Sequence, residues 1–178
     1  FRSSDPEATI TASTLNLAGD LAVTASAADQ VNAVAASASL AVARSAGQDG
    51  ANALVGGGAS VTNSLQGDVT ASIAGPGSQT SPGSLSVQGD LSVLASDGRA
   101  IQAGAGSGSL SLSTAGAGAG GTNLSIDVGA SLASNTISGD LSASISDLAS
   151  LSLGGNLEVS GSRQRSEEHT SELQSQFR

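Results

Sequence analysis

The residues able to do chemistry are few. The 178-residue chain holds 15 Asp and Glu, six basic residues that are all Arg, one His, and no Cys, Met, Trp or Tyr. Its one recurring chemical motif is Gly-Asp, at Asp20, Asp68, Asp90 and Asp140, with Asn156 as a variant. Carboxylate oxygens are hard ligands suited to Ca2+. Asp20, Asp68, Asp90 and Asp140 are therefore the candidate metal ligands, an outward acidic ladder if successive repeats stack in register. The calcium nonapeptide G-G-x-G-x-D is missing, however, and a solvated Asp after a bend is the simpler expectation. No cofactor is expected, with Ca2+ as the one alternative.

Catalysis finds even less support. Ser is abundant, but a nucleophilic Ser needs an activating base beside it, and the sole His is His169, near the C-terminus. A pair of carboxylates could hydrolyse a glycosidic bond, yet the acids recur at equivalent repeat positions instead of forming one unique cluster. The Gly-rich stretch 104–108 lacks the Lys-Ser/Thr ending and following helix of a phosphate loop. No catalytic residue is expected.

Composition narrows the class further. Ser, Ala and Gly supply about half the chain, and the net charge is -9. Without Cys there is no disulfide scaffold or thiolate metal site. The acidic balance opposes nucleic-acid binding, which needs a basic face. A membrane helix needs about 20 apolar residues in a row, and the sequence has no such run.

What must position these residues is a repeat of about 70 residues. Three segments share one pattern: L-N-L-A-G-D-L-A-V at 15–23, L-S-V-Q-G-D-L-S-V at 85–93 and L-S-L-G-G-N-L-E-V at 151–159. L-Q-G-D-V-T-A-S-I at 65–73 returns as I-S-G-D-L-S-A-S-I at 137–145, each preceded by G-A-S. Val31, Ala33, Leu40 and Val42 map onto Ile101, Ala103, Leu110 and Leu112. The loop at 75–84 corresponds to a shorter one at 146–150, the kind of length change that turns in repeat arrays tolerate.

Within each repeat the large aliphatic residues alternate with small polar ones, the mark of a half-buried strand. Gly19, Gly67, Gly89, Gly139 and Gly155 interrupt the alternation, implying bends or close backbone approach. The Ala-rich stretch 25–47 could be helical, but its counterpart 95–116 carries Gly98, Gly104, Gly106 and Gly108, and each Gly costs about 1 kcal/mol in a helix. Both are read as strands and turns, and 115–121 as a loop. Leu, Ile and Val are only just frequent enough to oppose disorder, the third reading of this chain; their regular placement decides for folding. An interior built without aromatics fits a narrow solenoid. The expected fold is all-β, a parallel β-helix (β-solenoid) of about 70-residue repeats. With roughly 20 to 25 residues per coil, each repeat would hold roughly three coils.

The two ends depart from this pattern. R-S-E-E-H-T-S-E-L-Q-S, Arg165 to Ser175, is identical to one translated frame of a common sequencing-library adapter, and Phe1-Arg2-Ser3 resembles the end of its partner adapter. Such segments are set aside before fold reasoning. The resulting division is 1–3 adapter artefact, 4–164 repeat array, and 165–178 adapter-derived tail, disordered or a short helix. His169 then falls outside the array.

The module G-A-S-x-x-x-N-x-I-x-G-D-L-x-A-x-I followed by L-x-L-x-G-N-L-x-V resembles the repeats of giant bacterial surface proteins, the filamentous-haemagglutinin-like and leukotoxin-like adhesins. The resemblance covers nearly all of 4–164. It implies secretion or display at the cell surface, a right-handed parallel β-helix, and a role in adhesion or biofilm. The partners it implies are neighbouring repeats of the same chain and, through absent domains, a host-cell or matrix surface. The expected function is a non-catalytic structural stalk segment. The alternative is a fragment of a β-helical enzyme that degrades polysaccharide.

Overall fold

The computed structural model describes residues 2–12, 14–46, 50–77, 82–115, 123–171 and 174–177. Among them there is no helix and there are sixteen strands. After β1 (Arg2–Ser3), the chain runs three times through the same sequence of strands. The first pass is β2 (Glu7–Thr11), β3 (Thr14–Leu17), β4 (Leu21–Ala27), β5 (Gln30–Ser45) and β6 (Asn52–Gln66). The second is β7 (Val69–Ala74), β8 (Gly83–Val87), β9 (Leu91–Asp97), β10 (Ala100–Ala115) and β11 (Leu124–Ser138). The third is β12 (Leu141–Ser146), β13 (Leu148–Leu153), β14 (Leu157–Arg163), β15 (Ser166–Ser171) and β16 (Gln174–Phe177). Two units result, one of residues 1–30, 64–101 and 136–167, the other of 31–63, 102–135 and 168–178.

In the first unit, strands of one pass pair with their equivalents in the next. The sheets β2–β7–β12, β3–β8–β13 and β4–β9–β14 are all parallel. Leu21 lies beside Leu91, and Leu91 beside Leu157. The aliphatic parity read from sequence is the inward one: Val69, Ala71, Ile73, Leu85, Val87, Leu91 and Val93 are at most 2% exposed. Fully burying such a Leu or Val contributes about 1.5–3 kcal/mol. The middle pass is buried deepest because it has a neighbour on both sides; Leu157 and Val159 in the third pass are 49% and 43% exposed.

The second unit is built from the long strands. Its neighbours are β5–β10–β15 and β6–β11–β16. Small residues fill its interior: Ala103, Ala105 and Ala133 are buried, with Ala59 and Val61 packed against them. Leu40, Val42, Leu110 and Leu112 face outward, each at least half exposed, because the opposite parity carries the Ala, Ser and Gly. Asn63, of the first G-A-S segment, donates through Nδ2 to Oδ1 of Asn135 in the second at 3.1 Å. Buried hydroxyls of Ser37, Ser107 and Ser111 find no partner there, a cost in a low-dielectric interior.

Two expectations are corrected. Three coils per repeat would pair strands about 20 to 25 residues apart, whereas the hydrogen bonds between passes join residues 63 to 72 apart in sequence. One repeat is a single pass. Much of each pass is taken up by two long strands of 15 and 16 residues, which run on without a turn where short coils would have needed one. The tail expected to be disordered or helical instead forms β15 and β16. Edges of β10 and β11 offer unpaired backbone groups, and any extended segment can satisfy them. β16 does so antiparallel to β11. The Ala-rich stretch is strand in β4 and β5 with a corner at 28–29, as its Gly-rich counterpart required; the loop read at 115–121 lies, beyond Ala115, outside the described residues.

Glycine sets how closely the passes approach. A Cβ at Gly89 would collide with the carboxylate and backbone nitrogen of Asp20, and one at Gly155 with the carboxylate of Asp90. The equivalent Gly19 has nothing within 4 Å. Gly89→Ala should therefore destabilise the chain by about 1–3 kcal/mol, while Gly19→Ala, read by the same urea titration, should change stability by less than about 0.5 kcal/mol.

Candidate functional site

The Gly-Asp motifs all stand at corners that belong to the first unit. Asp20, Asp90 and Asn156 form one column, between β3 and β4, β8 and β9, and β13 and β14. Asp5, Asp68 and Asp140 form a second. In each column the side chain of one pass accepts from the backbone of the next. The Asp90 N–H donates to Asp20 Oδ1 at 2.8 Å, and the Asn156 N–H to Asp90 Oδ1 at 2.7 Å. The Asp68 N–H donates to Asp5 Oδ1 at 3.0 Å, and the Asp140 N–H to Asp68 Oδ1 at 2.8 Å. Bonds to an ionised acceptor are short and strong. The return bonds run from Leu21 N–H to the Asp90 carbonyl and from Val69 N–H to the Asp140 carbonyl, 2.9 and 2.8 Å.

These columns explain the dipeptide. At a corner the backbone turns out of the ladder, so its N–H would lose its partner. The preceding pass supplies a carboxylate; in the first column Gly leaves room for that carboxylate, and at Gly67 and Gly139 it leaves room for the backbone carbonyl of the preceding pass. Gly67 and Gly139 also take φ of 144° and 124°, a conformation L side chains rarely adopt.

As metal ligands, the four candidates are placed as follows. Asp20 and Asp90 share one column, Asp68 and Asp140 the other, and all are exposed. Equivalent acids stand at equivalent corners of adjacent passes, one over the next. A shallow groove lined by Asp20, Asp90, Ser92, Asn156 and Glu158 follows the first column. One oxygen of Asp20, Asp68 and Asp90 is already engaged by a backbone N–H. No group of three or more His, Asp or Glu among the described residues is arranged to hold a metal.

The most unusual chemistry is elsewhere in this unit. Asp97 and Arg99 are 1% and 0% exposed. Arg99 grips Asp97 with two parallel bonds, Nε to Oδ1 at 2.8 Å and Nη2 to Oδ2 at 2.9 Å. Its Nη2 also donates to the Gly67 carbonyl at 2.8 Å, while Nη1 is buried without a partner. Arg165 adds a bond from Nε to Asp97 Oδ2 at 2.6 Å and reaches the Gly139 carbonyl at 2.9 Å. The hydrogen bonds from Arg99 hold the Asp97 carboxyl far below the usual carboxylate range, opposed by burial and reinforced by Arg165. The same pairing raises Arg99.

Sequence reasoning missed this cluster, although a signal existed. Asp97 and Arg99 continue the inward parity of Leu91, Val93 and Ala95. Charged residues on a buried parity mark an internal ion pair. Both carboxylate oxygens of Asp97 are taken by guanidinium donors, so the arrangement works as a clamp. Comparisons with protein-family models, curated proteins and solved structures return no match.

Because the Asp97 pKa is depressed on folding, its stabilisation is complete above the unfolded value near 3.9 and is lost as pH falls below it. Unfolding free energy should decline below about pH 4. Asp97→Asn, which strands the buried Arg99 charge, should cost about 3–5 kcal/mol and remove that part of the acid slope in denaturant titrations. Since the corner carboxylates serve the backbone, neither Ca2+ nor a chelator should move the thermal midpoint; a calcium-dependent rise would make the Asp20–Asp90 column a cation site.

Proposed function

We propose that residues 4–164 are a structural stalk segment of a secreted or surface-displayed bacterial adhesin, built as a β-solenoid in which each repeat of about 70 residues is one coil. The observation that supports this reading is the use to which the repeated residues are put. Leu, Val, Gly and Asp at equivalent positions stack on one another from pass to pass. Their work is spent on propagation along the array. Resemblance to filamentous-haemagglutinin-like repeats supplies the biological setting, in which a distal recognition domain on the same protein would contact a host-cell or matrix surface. The enzyme alternative gains nothing from the acids, which are spread one per pass along two columns.

The terminal segments 1–3 and 165–175 are proposed to be translated adapter sequence. The identity of Arg165 to Ser175 with one translated adapter frame supports this.

Long-read sequencing of the source DNA across both junctions tests the whole reading. The expected result is further repeats of about 70 residues continuing past Ser4 and Gln164, together with a secretion signal in the same reading frame. A genome that encodes Arg165 to Arg178 followed by a stop codon would sink both the adapter and the array.

A further inference from the structure

The first unit has two unlike edges. On one side lie β3 and β4, on the other β13 and β14. We infer that these edges are complementary, and that the 178-residue chain associates head to tail, β13–β14 of one copy stacking in parallel register on β3–β4 of the next. The inference does not depend on the adhesin reading; it follows from the two interfaces already present inside the chain.

The internal interfaces supply the template. Leu85, Leu91 and Val93 are 1%, 1% and 0% exposed because a pass covers them on each side. Their equivalents Leu151, Leu157 and Val159 are 38%, 49% and 43% exposed. The residues that would cover them in the next copy, Leu15, Leu21 and Val23, already pack on Leu85, Leu91 and Val93 from the other side.

The polar groups match as well. Inside the chain each corner offers a side-chain oxygen forward and receives one from behind. At the trailing edge the Asn156 Oδ1 is the group that would be offered forward. At the leading edge, Gly19 has nothing within 4 Å, whereas Gly89 and Gly155 have a carboxylate from the preceding pass in that space. Docking in register places Asn156 Oδ1 against Gly19 to accept the Asp20 N–H. It also lets the Leu157 N–H donate to the Asp20 carbonyl, as Leu21 does to Asp90 and Leu91 to Asn156.

Charge favours the same register. Asp29 stands in the column of Arg99, its carbonyl accepting from Ala100 just as the Arg99 carbonyl accepts from Ser166. Continuing the stack brings the Arg163 and Arg165 end of one copy over the Ala27 and Asp29 end of the next, basic on acidic. Such an interface joins different surfaces, so it does not close on itself and permits open chains.

Two variants block one edge each. Gly19→Val fills the empty corner space, which is open in a single copy, and so leaves the isolated fold intact. Leu157→Lys/Val159→Lys charges the opposite edge at positions already half exposed. In sedimentation velocity, the wild-type chain should give a mass that climbs with concentration beyond the dimer. Each variant alone should lose every species above monomer while keeping the circular dichroism spectrum of the wild type. Mixed one to one, the two variants should recover a dimer that grows no further, because each retains the edge the other lacks. A wild-type chain that stays monomeric, a closed dimer at all concentrations, or variants that still form long species would overturn the inference; so would a mixture that stays monomeric.

Discussion

Everything in the first unit depends on one constraint: equivalent backbones in successive passes must approach to the spacing of a β-ladder, about 4.8 Å, at corners as well as along strands. Along the strands the parallel hydrogen bonds achieve this unaided. At a corner a Cβ would obstruct the approach and the turning backbone would leave an N–H unbonded. Gly removes the first difficulty and the Asp or Asn after it removes the second. Asp20, Asp90 and Asn156 are thus best understood as pieces of the ladder made from side chains.

The same constraint explains the composition. Stacked identical positions favour residues that pack against copies of themselves, and Leu on Leu and Val on Val do so at the first two inward sites of β4, β9 and β14. It also explains where stability is concentrated. A middle pass has two neighbours and buries its aliphatics almost fully; the outer passes have one. Among its described residues the second unit buries mostly small side chains, and the buried hydroxyls of Ser37, Ser107 and Ser111 gain no partners. Less stabilisation per residue follows, so its strands should open before those of the first unit.

The Asp97–Arg99 pair is the exception to this economy. Buried charge is costly even when paired, and replacing such a pair by well-packed apolar residues is often harmless. Its geometry gives it a specific use. Arg99 bridges Asp97 to the Gly67 carbonyl, and Arg165 bridges Asp97 to the Gly139 carbonyl. The clamp therefore ties the β9–β10 corner to the β6–β7 and β11–β12 corners of the same unit, and only one register satisfies all of these bonds.

Sequence by itself determined the all-β class, the inward parity of the first unit and the corners at Gly-Asp, because these are local and periodic. Glycines in the second repeat also sufficed to read the Ala-rich first repeat as strand. Tertiary structure alone decided what each repeat pairs with. Period-two alternation gives a strand its faces but says nothing of its partner, so the number of coils per repeat was misjudged. Nor could alternation tell that Asp20 and its equivalents face one another's backbones, or that Leu40 and Leu110 face outward while alanines fill the interior. Asp97, Arg99 and Arg165 are 2 to 68 residues apart; only the stacking of passes turns them into one buried cluster.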